Sequence, residues 1–198
     1  MKVRIALLIG LILIFSSCAS SPTIITPMFK AIQDETVIVM MQNGEDTAYV
    51  NNVDFDIRIQ QMRNEKGMVV FIFSLRNNME NSIIKLRYDD FILEYSNTNN
   101  IKALNLDAYI EKQIGSDRRY LSDSGYREIY NEYRKVYLLE NDIRANGGET
   151  LGVIAFNYEN FNEFKVNIRI TKENFLLRNM QNEGQITTQY VTINYRSK

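Results

Sequence analysis

The sequence predicts a mainly β protein, an antiparallel β-sandwich interrupted by one amphipathic helix between the middle and later strands. The first observation is a period of two, because in VDFDIRIQ the residues Val53, Phe55, Ile57 and Ile59 alternate with polar residues. The second is that strand-like segments recur between turn signals. The third is a single segment with helical spacing, YREIYNEYRKVY, near residues 124–140. About seven or eight strands in one domain favour a sandwich.

The predicted strands follow one another in a simple order. An early strand is expected near TVIVMM, and the alternating segment VDFDIRIQ comes next. MVVFIFSLRN is a β-branched and aromatic run that ends in the turn NNMEN. SIIKLRYDDFILEY follows, with Ile84, Leu86, Phe91 and Leu93 as expected core positions. These three segments are predicted to be consecutive antiparallel strands, and ETLGVIAFNY, FKVNIRIT and QITTQYVTINY complete the sheets after the turn NGG.

The helical segment carries a stripe of aromatic residues. Its apolar positions recur at spacings of three and four and fall within about 120° of arc at 100° per residue. They are Tyr126, Ile129, Tyr130, Tyr133, Val136 and Tyr137. Ser122, Asp123 or Ser124 could cap the start of this helix. The stripe predicts packing against the sandwich, and the alternative is an interaction face, because tyrosine is favoured where proteins bind partners.

The N-terminal segment indicates export followed by attachment to lipid. Lys2 and Arg4 precede an apolar run, 5–15, that has about half of the roughly 20 residues a membrane-spanning helix needs. The stretch FSSC then resembles the lipobox of bacterial lipoproteins, with Phe15 where an aliphatic residue is usual. The resemblance implies cleavage before Cys18, a diacylglycerol on its sulfur and further acylation such as palmitate. The alternative is ordinary signal cleavage near SCAS, which would release a soluble protein.

The lipoprotein resemblance divides the chain into three parts. Residues 1–17 are the expected signal peptide, 18–30 the lipidated cysteine with a flexible tether, and 31–198 a single domain. The tether contains both prolines of the chain, Pro22 and Pro27. Fully extended at roughly 3.3 Å per residue, it would hold the domain up to about 40 Å from the bilayer. Ala19 and Ser20 are not the acidic residues that retain lipoproteins at the inner membrane of enteric-type bacteria, so the outer membrane is favoured.

Two longer stretches carry a second resemblance. RNNMENSIIKLRYDDFILEY and ENDIRANGGETLGVIAFNYENFNEFKVNIRI resemble the immunoglobulin-like sandwich of small, poorly characterised envelope lipoproteins. The shared features are a D-F-x-L strand and a glycine-glutamate turn that leads into a G-x-x-x-F strand. The residues concerned are Asp90, Phe91, Leu93, Gly148, Glu149, Gly152 and Phe156. The resemblance implies an immunoglobulin-like antiparallel β-sandwich in the cell envelope, and it implies no catalytic residues.

Several kinds of catalytic site are excluded by composition. The chain has no histidine and a single cysteine, which excludes Ser-His-Asp triads, Cys-His pairs and the commonest zinc sites. Ser82 and Lys85 match S-x-x-K, but residues three apart on a strand point to opposite faces. No cofactor is indicated. A calcium site built from scattered Asp, Asn and backbone carbonyls stays open.

Paired carboxylates are the remaining catalytic signal. Asp54 with Asp56, and Asp89 with Asp90, invite comparison with glycosidases. Alternation places the first pair on the polar face of its strand, and the second pair are neighbours that point apart. We therefore expect all four to be solvated surface residues.

The expected function is that of a membrane-anchored, non-enzymatic binding or scaffold module for another envelope component, most simply an envelope protein. Cys18 is its expected lipid site, and a partner would bind through the sandwich loops, an edge strand or the helix, with Tyr126, Tyr130, Tyr133 and Tyr137 as the candidate interaction face. Without Lys2 and Arg4 the chain has 21 basic and 24 acidic residues, so nucleic acid is not an expected partner. The alternative is a lipid- or lipoprotein-handling factor with an apolar cavity, and a more remote one is an enzyme that uses carboxylates.

Overall fold

The computed structural model describes residues 26–62, 66–96, 99–138, 141–175 and 186–198. Within these ranges the chain forms twelve strands and two α-helices. The strands are β1 Phe29–Ala31, β2 Ile38–Gln42, β3 Glu45–Asn51, β4 Phe55–Met62, β5 Met68–Asn77, β6 Ser82–Leu86, β7 Phe91–Glu94, β8 Asn100–Lys102, β9 Asn141–Ile143, β10 Glu149–Asn157, β11 Glu163–Asn174 and β12 Ile186–Ser197. The helices are α1 Leu106–Ile114 and α2 Asp123–Val136, with 3-10 turns at Tyr88–Asp90 and Gly115–Tyr120. The predicted fold class, a mainly β antiparallel sandwich with a helical insertion, is confirmed.

The strands form two antiparallel sheets that face each other. Sheet I has the order β1-β12-β11-β6-β9, and β7 also pairs with β11 and carries β8 on its other side. Sheet II has the order β10-β5-β4-β3-β2. The long strand β11 pairs with β6 over Thr171–Asn174 and with β7 over Lys165–Ile168, so one strand supports two short neighbours.

The core between the sheets is filled by large side chains. Aromatic rings from both sheets meet there, with ring centroids 4.9 Å apart for Phe73 and Phe91 and 5.2 Å apart for Phe71 and Tyr195. All four core positions expected in the SIIKLRYDDFILEY segment are fully buried. Alternation in this part of the sequence therefore identified correctly which side of each strand faces the core.

Two details of the strand predictions are wrong. Val53 is 92% exposed, because it lies in the turn before β4 and the alternation begins only at Phe55. SIIKLRYDDFILEY is not one strand paired with β5 but two strands of the opposite sheet, separated by the 3-10 turn at Tyr88–Asp90. The chain crosses between sheets at Asn77, which is fully buried. Its side-chain amide donates to the carbonyls of Ser82 at 2.8 Å and Ile143 at 3.0 Å.

The folded region begins before residue 31. Strand β1 includes Phe29, which is buried against Phe164 with ring centroids 4.8 Å apart. The amide of Gln61 holds this end of the chain, since Phe29 N donates to Gln61 Oε1 at 2.7 Å and Gln61 Nε2 donates to Pro27 O at 3.0 Å. Residues 26–30, which were assigned to the tether from sequence, are thus part of the domain.

Candidate functional site: the tyrosine face

Two helices, not one, lie on the outer face of sheet II. Helix α1 starts at Asn105, whose side chain accepts from Ala108 N at 2.8 Å, and it ends at Gly115 with φ of 55°. The sequence analysis missed α1, although NLDAYIEKQIG contains an N-cap asparagine, apolar residues at helical spacing and a terminal glycine. The pattern was missed because the helix is short and strand-like segments lie next to it in the sequence.

Helix α2 is the predicted tyrosine helix. Of the three candidate caps, Ser122 is the one used, and its hydroxyl accepts from Gly125 N at 3.2 Å. Asp123 in the first turn and Arg134 and Lys135 in the last turn complement the helix dipole. The helix ends at Tyr137, which has extended backbone angles. The chain then runs beside β10, where Leu138 N donates to Val153 O at 2.9 Å.

A second, smaller core lies beneath the two helices. Met68 and Val70 of β5 and Ala155 of β10 provide its sheet side, and they face away from the sandwich interior. Tyr109 of α1 connects the two helices, with its ring centroid 5.6 Å from that of Tyr133 and 4.8 Å from that of Tyr137. Aromatic contacts therefore join the two helices to each other, and the apolar residues of β5 and β10 provide their contact with the sheet.

The four predicted tyrosines have different environments in this layer. Tyr137 is 3% exposed, and its hydroxyl donates to the carbonyl of Leu104. Tyr126, Tyr130 and Tyr133 are half-buried, and within α2 no described side chain is fully buried. We call these four residues the tyrosine face. Val136 was placed on the same stripe, but it is 51% exposed and lies outside the packed side of the helix.

Burial raises the pKa of three phenol groups in this layer. Loss of solvent raises the pKa of Tyr137 well above its usual value, and burial also raises the pKa of Tyr109. Tyr126 has a raised pKa from burial as well, although the Arg118 guanidinium lies 3.8 Å from its ring centroid and acts in the opposite direction. All three are therefore neutral near pH 7. Tyr126, which stays half-exposed, can offer a partner its ring and hydroxyl group rather than negative charge, whereas Tyr109 and Tyr137 are buried.

Neither the family models nor the curated protein sequences that were compared with this chain match it. Function must therefore be argued from the residues themselves.

Two of the carboxylates suspected from sequence, Asp90 and Asp54, form ion pairs that hold parts of the fold together. Asp90 is only 4% exposed, so the expectation that it is solvated is wrong. Its Oδ1 lies 2.6 Å from Nη2 of Arg169 and its Oδ2 accepts from Arg87 N at 2.8 Å. This contact raises the pKa of the Arg169 guanidinium, chiefly through the hydrogen bond. Asp90 therefore fixes the 3-10 turn to β11, a role that alternation could not indicate.

The other carboxylate pair is divided between two partners. Asp54 Oδ2 lies 2.5 Å from Nζ of Lys172, which also donates to Gln189 Oε1 at 2.8 Å. Asp56 instead accepts from Asn78 Nδ2 at 3.0 Å. Asp54 lies in the turn between β3 and β4 of sheet II and Lys172 lies in β11 of sheet I, so this contact joins the two layers at this end of the sandwich.

The S-x-x-K match has the arrangement expected for a plain strand. Lys85 lies 2.5 Å from Glu173 on the neighbouring strand β11, on the outer side of sheet I. Ile84 and Leu86 point to the core, so the alternation along β6 places Ser82 and Lys85 on opposite sides. In the part of the chain that the structure describes, no three acidic or cysteine side chains are grouped as metal ligands.

The edge of sheet II is a second exposed surface. In the described residues β2 pairs with β3 alone, and its side chains Ile38, Met40 and Met41 are exposed. Met41 is 77% exposed and borders a groove of about 570 Å³ between β2 and β1, which Lys30, Val39 and Arg196 also line. The strand was predicted from TVIVMM, but its position at an edge depends on the order of the strands.

Cys18, the predicted lipidation site, lies outside the described residues. None of the helices in the described ranges has the length and apolar character needed to cross a membrane.

Proposed function

We propose that this protein is a lipid-anchored lipoprotein of the cell envelope, with the outer membrane favoured, and that it acts as a non-enzymatic binding or scaffold module. Its partner is another envelope protein, which docks on the tyrosine face. The anchor is Cys18, supported by the resemblance of FSSC to a lipobox and by the short apolar run before it. The resemblance of the later strands to immunoglobulin-like envelope lipoproteins supports the same location.

The observation that carries the binding role is the position of α2. It is capped by Ser122 and secured at its end by the buried Tyr137, yet Tyr126, Tyr130 and Tyr133 stay half-exposed. A rigid helix that presents amphipathic rings loses little conformational entropy on binding, which is the reason tyrosine is common in interface hot spots. The tyrosine face thus has the rigidity and chemistry of a protein-binding surface.

The filled sandwich core favours this proposal over the alternative of a lipid- or lipoprotein-handling factor. Such a factor needs an apolar cavity open to solvent. Here Phe71, Phe73 and Phe156 are completely buried between the sheets, and the groove between β2 and β1 lies at the surface. The remote alternative, an enzyme that uses carboxylates, is disfavoured because Asp54 and Asp90 neutralise Lys172 and Arg169.

The anchor is tested by mass spectrometry of the protein isolated from membranes of a bacterium that processes lipoproteins. We expect Cys18 to be the first residue, to carry acyl chains and to have no free thiol. An intact signal peptide, or a mature chain that starts after Ala19, would refute the lipoprotein assignment.

The binding surface is tested by photocrosslinking in cells. A benzophenone amino acid replaces Tyr130 in one variant and Tyr190 in a matched control, because Tyr190 is an exposed tyrosine on the outer face of sheet I. We expect a discrete adduct with one envelope protein from position 130 and none from position 190. Adducts of equal yield at both positions, or none at position 130, would contradict docking on the tyrosine face.

A further inference from the structure

The short distance between Cys18 and the folded domain constrains how the domain sits on the membrane. Thr26 is buried, and the Gln61 contacts hold Pro27 and Phe29, so at most residues 19–25 separate Cys18 from the described part of the domain. Eight residue steps from Cys18 to Thr26 span at most about 26 Å when fully extended. The end of the sandwich at which Thr26 emerges must therefore remain close to any bilayer that holds the acyl chains.

The turn of the β2–β3 hairpin lies at this same end. Its turn is formed by Asn43 and Gly44, which have φ of 53° and 82°. Lys198 joins this hairpin to the start of the domain, because its backbone N donates to Met28 O at 3.2 Å and its Nζ lies 3.1 Å from Glu45 Oε2. The turn that contains Val53 follows at the far end of β3, whose seven residues separate the two ends by roughly 23 Å.

The chemistry of the hairpin edge suits a lipid interface. Strand β2 reads IVMMQ and has no charge or proline, the features that usually protect an exposed edge strand. Ile38, Met40 and Met41 are all exposed, and methionine is a flexible apolar side chain that adapts to irregular surfaces. Exposed Lys30, across the groove from Met41, is long enough to reach lipid phosphates while its stem stays near apolar groups.

We propose that Met40 and Met41, the exposed side chains of β2 nearest the hairpin turn, which we call the hairpin surface, rest on the phospholipid bilayer that anchors the protein. This inference depends on the proposed lipidation of Cys18. The contact can be weak in isolation, because the anchor makes it intramolecular and gives it a high effective concentration. It fixes the orientation of the domain, so the hairpin edge faces the lipid and the opposite end, with Val53, faces away from it.

The test uses the full-length, lipidated protein in vesicles of phosphatidylethanolamine and phosphatidylglycerol. Met41→Cys and, as the matched control, Val53→Cys each introduce the one free thiol, because the sulfur of acylated Cys18 is blocked. Both positions are strongly exposed, and they lie at opposite ends of the sandwich. Each thiol carries a polarity-sensitive fluorophore. We expect emission at shorter wavelength and quenching by spin-labelled lipid at position 41, and neither change at position 53.

The outcomes separate this inference from the proposed function. Protein that floats with the vesicles, but whose label at position 41 behaves like that at position 53, retains its anchor and overturns the membrane contact. A wavelength shift at position 41 that grows with protein density, without lipid quenching, would assign the hairpin surface to a second copy of the chain and also overturns it. Protein that fails to float and keeps a reactive Cys18 thiol refutes the lipoprotein proposal itself.

Discussion

The buried hydroxyl groups of Tyr137 and Tyr195 lie in two different environments. Both side chains are buried, and burial raises the pKa of each phenol well above its usual value. The Tyr137 hydroxyl donates to the Leu104 carbonyl, whereas the Tyr195 hydroxyl has no hydrogen-bond partner among the described residues. An unsatisfied buried hydroxyl lowers stability, and a satisfied one contributes to it. Sequence cannot distinguish these two cases, because both tyrosines occupy apolar surroundings.

Replacing each tyrosine by phenylalanine should therefore change stability in opposite directions. We expect Tyr195→Phe to raise the free energy of unfolding by about 1 kcal/mol, because it removes a desolvated hydroxyl. Tyr137→Phe should lower it by about 1 kcal/mol, because the Leu104 carbonyl loses its donor. Urea unfolding of both variants, followed by circular dichroism, measures these differences. Destabilisation of similar size in both variants would show that the Tyr195 hydroxyl is bonded after all.

At the scale of elements, Gly152 explains how the helical insertion joins the sheet. A Cβ built at this glycine of β10 would lie 2.8 Å from both Cα and N of Leu138. The chain leaving α2 thus passes directly over β10, and Leu138 N bonds there to Val153 O. The G-x-x-x-F pattern noted in the sequence is a packing requirement, since backbone atoms cannot move aside as a flexible side chain can.

Two glycine-to-alanine changes test this contact. We expect Gly152→Ala to destabilise the protein by about 1–3 kcal/mol, the usual cost of overpacking. Gly125→Ala is the matched control, because its Cβ would make ordinary contacts with the side chains of Ser122 at 3.4 Å and Leu121 at 3.5 Å. It should be neutral or stabilise by up to about 1 kcal/mol through helix propensity. Thermal unfolding of the two variants compares them, and equal effects would argue against the close approach of Leu138.

For the tyrosines in and around α2, we expect the loss of stability on replacement by alanine to follow the burial of each ring. Tyr137→Ala removes a fully buried ring and should cost about 3–5 kcal/mol. Tyr130→Ala removes a half-buried ring, and we expect about 1–2 kcal/mol, less than the full value for a core aromatic. Tyr120→Ala is the control, since Tyr120 is almost fully exposed and should cost under about 0.5 kcal/mol. Guanidinium unfolding measures all three variants. A loss for Tyr130→Ala as small as that for Tyr120→Ala would mean that α2 is not packed on the sheet.

At the scale of the whole molecule, shortening the chain tests where the folded domain begins. A chain that starts at Thr26 keeps the Gln61 contacts and Phe29, whereas one that starts at Ala31 loses them. We expect the shorter chain to be less stable by about 3–5 kcal/mol, because Phe29 packs against Phe161 and Phe164 in the main core.

The measurement is denaturant unfolding of both chains, with circular dichroism to establish that the longer one is mainly β with a minor helical share. Equal midpoints would place residues 26–30 back in the tether. The membrane distance derived from a short tether would then increase towards the 40 Å estimated from sequence.

Much of this protein is determined by the sequence alone. The period of two located the long strands and the buried face of most of them, because a strand between water and a core must alternate. The spacing of the tyrosines identified α2 and placed its cap among three candidates, of which Ser122 is used. The absence of histidine removed the commonest catalytic sites before any geometry was known.

Tertiary structure decided everything that depends on which strands are neighbours. Strand order makes β2 an exposed edge, and the crossing at Asn77 sends SIIKLRYDDFILEY to the opposite sheet. Strand pairing within sheet I turned Asp90 from an expected surface residue into a buried partner of Arg169, and Gln61 holds Pro27 in the domain. The physical reason is that local patterns report which face of a strand is apolar, whereas pairing between distant segments selects the partner, the register and the exposed edge.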